Sequence, residues 1–143
     1  MAIQREIGDR AGEGTTLNNI SQIYDARGDY GKALEYLEKS LAIRREIGDR
    51  AGMISTLHNM AYIYQGENKL QEALEYFKEA LLISIETNRL YDIFDESRDL
   101  GALLCHSGDK KQGLSLLQQA LEVGQQIGPP ALSQVEALLQ EFS

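Results

Sequence analysis

Residues 2–41 and 42–81 align without a gap, and about half of the forty paired positions are identical. The copies share Ala-Ile, Arg-Glu-Ile-Gly-Asp-Arg-Ala-Gly, Thr-Leu-x-Asn, Ile-Tyr and Ala-Leu-Glu-Tyr in the same order. A third copy, 82–121, has drifted but keeps the frame. It places Leu100, Leu104, Leu114, Leu117, Ala120 and Leu121 where the first has Ile20, Tyr24, Leu34, Leu37, Ser40 and Leu41. A chain built this way stacks one supersecondary unit on the next, because no single unit can bury its own apolar face.

Each unit contains two helix-period stretches. Leu17, Ile20 and Tyr24 fall at i, i+3, i+7, and Tyr30, Ala33, Leu34, Leu37 and Leu41 at i, i+3, i+4, i+7, i+11. Between them Arg27-Gly28-Asp29, Glu67-Asn68-Lys69 and Ser107-Gly108-Asp109 supply a Gly or Asn for the left-handed end of one helix. Asp29 and Asp109 then cap the next helix. Ile7-Gly8-Asp9, Ile47-Gly48-Asp49 and Thr87-Asn88 predict the same kind of turn between units. The reading is therefore a single all-α domain over 1–143, a solenoid of antiparallel helical hairpins. A partial helix at 2–7 precedes units at about 10–47, 50–87 and 90–127. At the end, Leu132, Val135, Leu138 and Phe142 match Ile54, Leu57, Met60 and Tyr64 after a shift of two residues. That predicts a capping helix over about 130–142, opened by Pro129 and Pro130.

Charge and motif content exclude several functions. A net charge of −8 repels nucleic-acid phosphates and anionic membrane surfaces, so neither is expected as a partner. No apolar stretch is long enough to span a bilayer, Met1 to Arg10 lack the apolar core of a secretory signal, and Cys105 is alone; a cytoplasmic location is the expectation. Gly108-Asp109-Lys110-Lys111-Gln112-Gly113 is not a phosphate-binding loop, since its lysines are misplaced for one. His58, His106 and Cys105 do not make a metal site at a known spacing. Cys105 and His106, adjacent on a helix, diverge by about 100° and cannot pair as nucleophile and base. Asp92, Asp95 and Glu96 read as a solvated helix face. No catalytic residue, metal ligand or cofactor site is expected, and the chain reads as a non-enzyme.

The pattern Leu17…Ile20…Tyr24…Gly28…Ala33…Leu37…Ser40 resembles the tetratricopeptide repeat, as do Leu57…Met60-Ala61…Tyr64…Ala73…Phe77…Ala80 and Leu100-Gly101…Leu104…Gly108…Gly113…Leu117…Ala120. The unit of about 40 residues, longer than the usual 34, looks like the subclass found in kinesin light chains, in Leu-Gly-Asn repeat proteins and in bacterial arrays. The resemblance implies a superhelix whose first helices line a concave groove that binds a protein or peptide. Carried over position by position, the groove residues are Asn18, Asn19 and Gln22; His58, Asn59 and Tyr62; and Arg98 and Asp99, with Asp95 beside them. The expected role of Asn59 is to bond a ligand's backbone, and that of Arg98 is to attract an acidic group. Of the five groups with which related proteins clamp a chaperone's carboxylate tail, only Asn59 and Arg98 are present. Asn18, Gln22 and Ala102 replace the others, so that ligand is not implied. Acidic residues concentrate on the second helices (Glu35, Glu38, Glu72, Glu75, Glu79), which predicts a near-neutral, polar groove. The alternative function is a spacer or self-association segment of a longer array. An under-covered first helix would favour that alternative and a homo-oligomer. Gly113 stands where the other units have Ala33 and Ala73, so Gly113→Ala is expected to gain about 0.5–1 kcal/mol if a methyl group fits.

Overall fold

The computed structural model describes the backbone of residues 2–143 and the side chains from Gly8 onward. Among the described residues seven helices follow one another: α1 (Ala2–Ala26), α2 (Tyr30–Ile47), α3 (Arg50–Gly66), α4 (Leu70–Glu86), α5 (Leu90–His106), α6 (Lys110–Ile127) and α7 (Pro129–Phe142). They pack as hairpins, α1 on α2, α3 on α4 and α5 on α6, with each hairpin laid against the next and α7 closing the far side of α6. The result is the all-α solenoid expected from the repeat. Among the described residues no helix is long and apolar enough to cross a membrane.

The turns explain the boundaries. Gly28, Gly48, Asn68, Asn88 and Gly108 all take positive φ, between 52° and 104°. In each of these turns the next residue's N–H returns to a carbonyl five residues back, as Asp29 to Tyr24 (2.9 Å), Lys69 to Tyr64 (2.8 Å) and Asp109 to Leu104 (2.9 Å). This bond is the one that closes a helix ending in a left-handed residue. Asp29, Asp49 and Asp109 accept from the backbone N–H groups of Lys32, Gly52 and Gln112. They thereby satisfy one of the orphan donors of the following helix.

One expected turn is absent. Ile7-Gly8-Asp9 copies Ile47-Gly48-Asp49, yet α1 runs through it unbroken. Gly48 turns with Arg44 held over Asp49 at 3.9 Å and with Gly52 wedged against both side chains. At Gly12, the counterpart of Gly52, an added side chain would meet nothing within 4 Å. Without packing to hold the turn, continuing the helical hydrogen bonds is the lower-energy choice.

The core forms where hairpins stack. Leu37, Leu57 and Met60 belong to a cluster between the first two hairpins, and Ala61, Ala73, Phe77, Leu100 and Leu104 to one between the second and third. Phe94, Ala120, Ala131 and Val135 form a third cluster beneath α7. Within each hairpin the crossing is lined by small residues, Ser21 and Ala33, Ala61 and Ala73, Gly101 and Gly113, all buried. The third crossing is the tightest. A Cβ at Gly113 would lie 2.5 Å from Cys105 Sγ, 2.7 Å from the Gly101 carbonyl oxygen and 2.8 Å from the Cys105 nitrogen.

The expected gain from Gly113→Ala is therefore overturned, because two backbone atoms occupy the space the methyl would need. Gly113→Ala is instead predicted to lower stability by about 1–3 kcal/mol through overpacking. A urea melt of the variant checks this, and a higher midpoint would show that α5 and α6 can separate without loss.

Candidate functional site

The first-type helices α1, α3 and α5 and the capping helix α7 bond to one another directly, and by one recurring contact. Asn18 Oδ1 accepts from Thr56 Oγ1 at 3.3 Å. Forty residues on, His58 Nδ1 meets Glu96 Oε1 at 2.5 Å. Forty further, Arg98 Nη1 donates to Gln134 Oε1 at 2.8 Å. Thr56, Glu96 and Gln134 occupy one repeat position, once the shorter last link is counted. These bonds form a ladder along the face that the first-type helices share. The second-type helices α2 and α4 are joined by an ion pair of their own, Arg45 to Glu79 at 2.6 Å.

The ladder changes the standing of several expected groove residues. Asn18 is buried between α1 and α3, with its amide oxygen held by Thr56. Arg98 is bound by Asp99 at 3.0 Å and Gln134, lies 3.5 Å from Asp95 and sits over the Phe94 ring at 5.3 Å. It is not an open receptor for an acidic ligand, because its charge and donors are already matched. His58 is half-buried and edge-on to Tyr62 and Phe77. Asp99 accepts from the Tyr62 hydroxyl at 2.7 Å and faces Arg98. Asn19 and Gln22 remain exposed on α1, and Tyr62 is 45% exposed.

Two cavities lie side by side on this face. One, of about 340 Å³, joins Gln22, Asn59 and Tyr62 with Ser21, Asp25 and Leu37. The other, of about 330 Å³, is bordered by Ile54, His58, Asn59, Arg89, Asp92, Asp95 and Glu96. Asn59 belongs to both. Asn19 lines neither.

Glu96, Asp92 and Arg89, which were not among the expected groove residues, join Asp95 here. Glu96 in particular is not on a solvated face: it is 2% exposed, and its Oε2 has no hydrogen-bond partner. The near-neutral groove is likewise corrected. Four carboxylates of α5 (Asp92, Asp95, Glu96, Asp99) face two arginines and one histidine here, because the helix turns its acidic side inward. Among the described residues no group of His, Cys, Asp and Glu could hold a metal ion. Cys105 is packed at the α5–α6 crossing, where burial pushes its thiol upward in pKa.

Burial alone would lower the pKa of His58. The hydrogen bond and charge of Glu96, backed by Asp99 and Asp95, outweigh it and raise the value. Burial raises the Glu96 carboxyl, with His58 opposing. Both folded-state values lie above their unfolded ones, so the folded chain holds these protons more tightly. The His58 contribution is complete below about pH 6.5 and is lost as pH rises through its folded value. Ionisation of Glu96 weakens the fold in the same direction. Asp92, Asp95, Asp99, Arg89, Arg98 and Tyr62 complete the charged surroundings. The melting temperature is therefore predicted to be lower at about pH 8.5 than at about pH 6, and His58→Gln should flatten the difference. A melting temperature that climbs over this interval in the unaltered chain would contradict the assignment.

A family model described as tetratricopeptide repeat matches residues 1–46 and 13–86. Among solved structures, the chain is similar to BtubC from P. vanneervenii, with a TM-score of 0.81 and 22% identity over 90% of this chain and 54% of that one. It is also similar to a putative kinesin light chain with nearly identical TPR-like repeats from Podosopora anserina, with TM-score 0.75, 20% identity and coverage of 90% and 64%. The N-terminal domain of stress-induced protein-1 from C. elegans gives 0.73, 17%, 90% and 96%. No curated protein matches. At these identities the structural likenesses establish the fold alone.

Proposed function

Because this chain belongs to the tetratricopeptide repeat family, whose fold is generally a protein-interaction scaffold, we propose that it binds a peptide segment of a protein partner along its concave face, without catalysis. The observation that carries this reading is the place of Asn59. It borders both cavities, and among the described residues its amide makes no hydrogen bond, while the residues at 18, 58 and 98 are tied to the next repeat. An amide offers a donor and an acceptor together, which matches a peptide unit whatever side chain it carries. Tyr62 stands beside it, half-exposed and braced edge-on by Phe77, as a rigid aromatic contact. Gln22 and Asn19 extend the same face onto α1. A net charge of −8 favours a protein over a nucleic acid as partner.

An unbiased displayed-peptide selection against the chain tests this. Asn59→Ala and Tyr62→Ala should each weaken the selected peptides by more than about 1 kcal/mol. Glu38→Ala and Glu75→Ala on the convex side should change affinity by less than about 0.5 kcal/mol. Loss of binding from the convex changes alone would assign the ligand to the back.

A second reading, self-association, rests on α1. Ile23 is 52% exposed where the equivalent Ile63 and Leu103 are 6% and 2% exposed, and Leu17 and Ile20 are only partly covered. This face would accept a further hairpin or a second copy. A mass in solution that rises with concentration, and that Ile23→Glu restores to the monomer value, would support it. A monomer at all concentrations would remove it.

A further inference from the structure

We propose that the cavity between α3 and α5 receives the cationic end of a lysine or arginine side chain, so that the peptide held on this face is a basic one. The proposal rests on the peptide-binding reading above and names the chemistry of its ligand.

Three carboxylates border the cavity, Asp92, Asp95 and Glu96, against one arginine. That arginine, Arg89, already pairs with Asp92 at 2.8 Å. Asp95 lies 3.5 Å from Arg98, whose other donors go to Asp99 and Gln134. Glu96 is the least satisfied of the three. One oxygen is bonded to His58, the other has no partner, and the residue is 2% exposed. A buried carboxylate normally fills its acceptor sites, and a vacant one is costly until a donor arrives. An ammonium or guanidinium supplies both the donor and the charge.

The rest of the cavity suits the stem of such a side chain. Ala51 and Ile54 provide an apolar wall, along which the methylenes of lysine or arginine can lie with the charged head at the carboxylates. A volume of about 330 Å³ accommodates either one. Asn59, on the shared border with the neighbouring cavity, is placed to hold the backbone of the residue that inserts. That neighbouring cavity carries Asp25 and no lysine or arginine, so the acidic character continues along the face. The bound cation is organic, since no group of side chains among the described residues has a metal-holding arrangement.

The test is a nitrogen-15 NMR titration of the full chain with a capped nonapeptide of alanine and serine carrying one central lysine. Two twins carry norleucine or glutamate at that place. The lysine peptide should shift the Asn59 side-chain amide and the His58 ring signals, with a Kd lower than that of the norleucine twin by at least about tenfold. The glutamate twin should be weakest. Asp95→Asn and Glu96→Gln should each erase most of the lysine preference, and Glu75→Ala should leave it intact. Asp95, partly exposed and not itself a rung, keeps the test sound if Glu96→Gln disturbs the ladder. If the norleucine peptide shifts Asn59 as strongly as the lysine peptide, the cation site is wrong and the groove survives. If the lysine peptide shifts only α2 and α4 signals, or none, both are wrong.

Discussion

Everything in this chain depends on how closely two helices can approach within a hairpin. Ser21 with Ala33, Ala61 with Ala73 and Gly101 with Gly113 keep the crossings free of bulk. Larger side chains are thereby displaced outward, to the interfaces between hairpins. There Leu37, Leu57, Phe77 and Leu100 are completely or almost completely buried. Burial comes from neighbours in a stack, so stability is shared from repeat to repeat. The drift of the third copy follows the same constraint. Its Gly–Gly crossing is tighter, and Leu104 and Leu116 replace the stacked tyrosine pairs Tyr24–Tyr36 and Tyr64–Tyr76 of the other two.

Beside the stacking, a polar ladder ties each first-type helix to the next and the last of them to α7. Asn18 to Thr56, His58 to Glu96 and Arg98 to Gln134 are chemically unlike, yet they join the same two positions of successive repeats. The middle rung pairs a half-buried imidazole with a carboxylate that is 2% exposed, where a charge-assisted bond is stronger than a neutral one. The ladder divides the inner face by role. One row of side chains fixes the spacing of the repeats, and the adjacent row, represented by Asn59, is presented to whatever lies in the groove, with Tyr62 bonded to Asp99 at its edge.

Much of the fold was legible because its signals are local. Asn68 and Asn88 stand where other turns have glycine, and they adopt the same left-handed backbone. Asp29, Asp49 and Asp109 cap as their positions suggested. Gly8 misled, because a turn motif is permissive and takes effect only where neighbours hold it. Gly113 misled because its reason lies across the hairpin, in the Gly101 and Cys105 backbone. Half of the candidate site was legible in the same sense. A polar residue beside a buried stripe looks alike whether a ligand or the next repeat satisfies it, which is why Asn18, His58 and Arg98 were grouped with Asn59. A signal did exist in the spacing. The first two rungs join residues 38 apart and the last 36, the difference being the two residues missing from the final link.

A double-mutant cycle in folding stability tests this division most directly, comparing His58→Ala, Glu96→Ala and the pair, with Asn59→Ala as the outside reference. The account predicts a coupling between His58 and Glu96 of about 1–3 kcal/mol, and a change of less than about 0.5 kcal/mol for Asn59→Ala. A coupling near zero, or an Asn59 variant as unstable as the His58 one, would contradict the division of the inner face into a structural row and a free one.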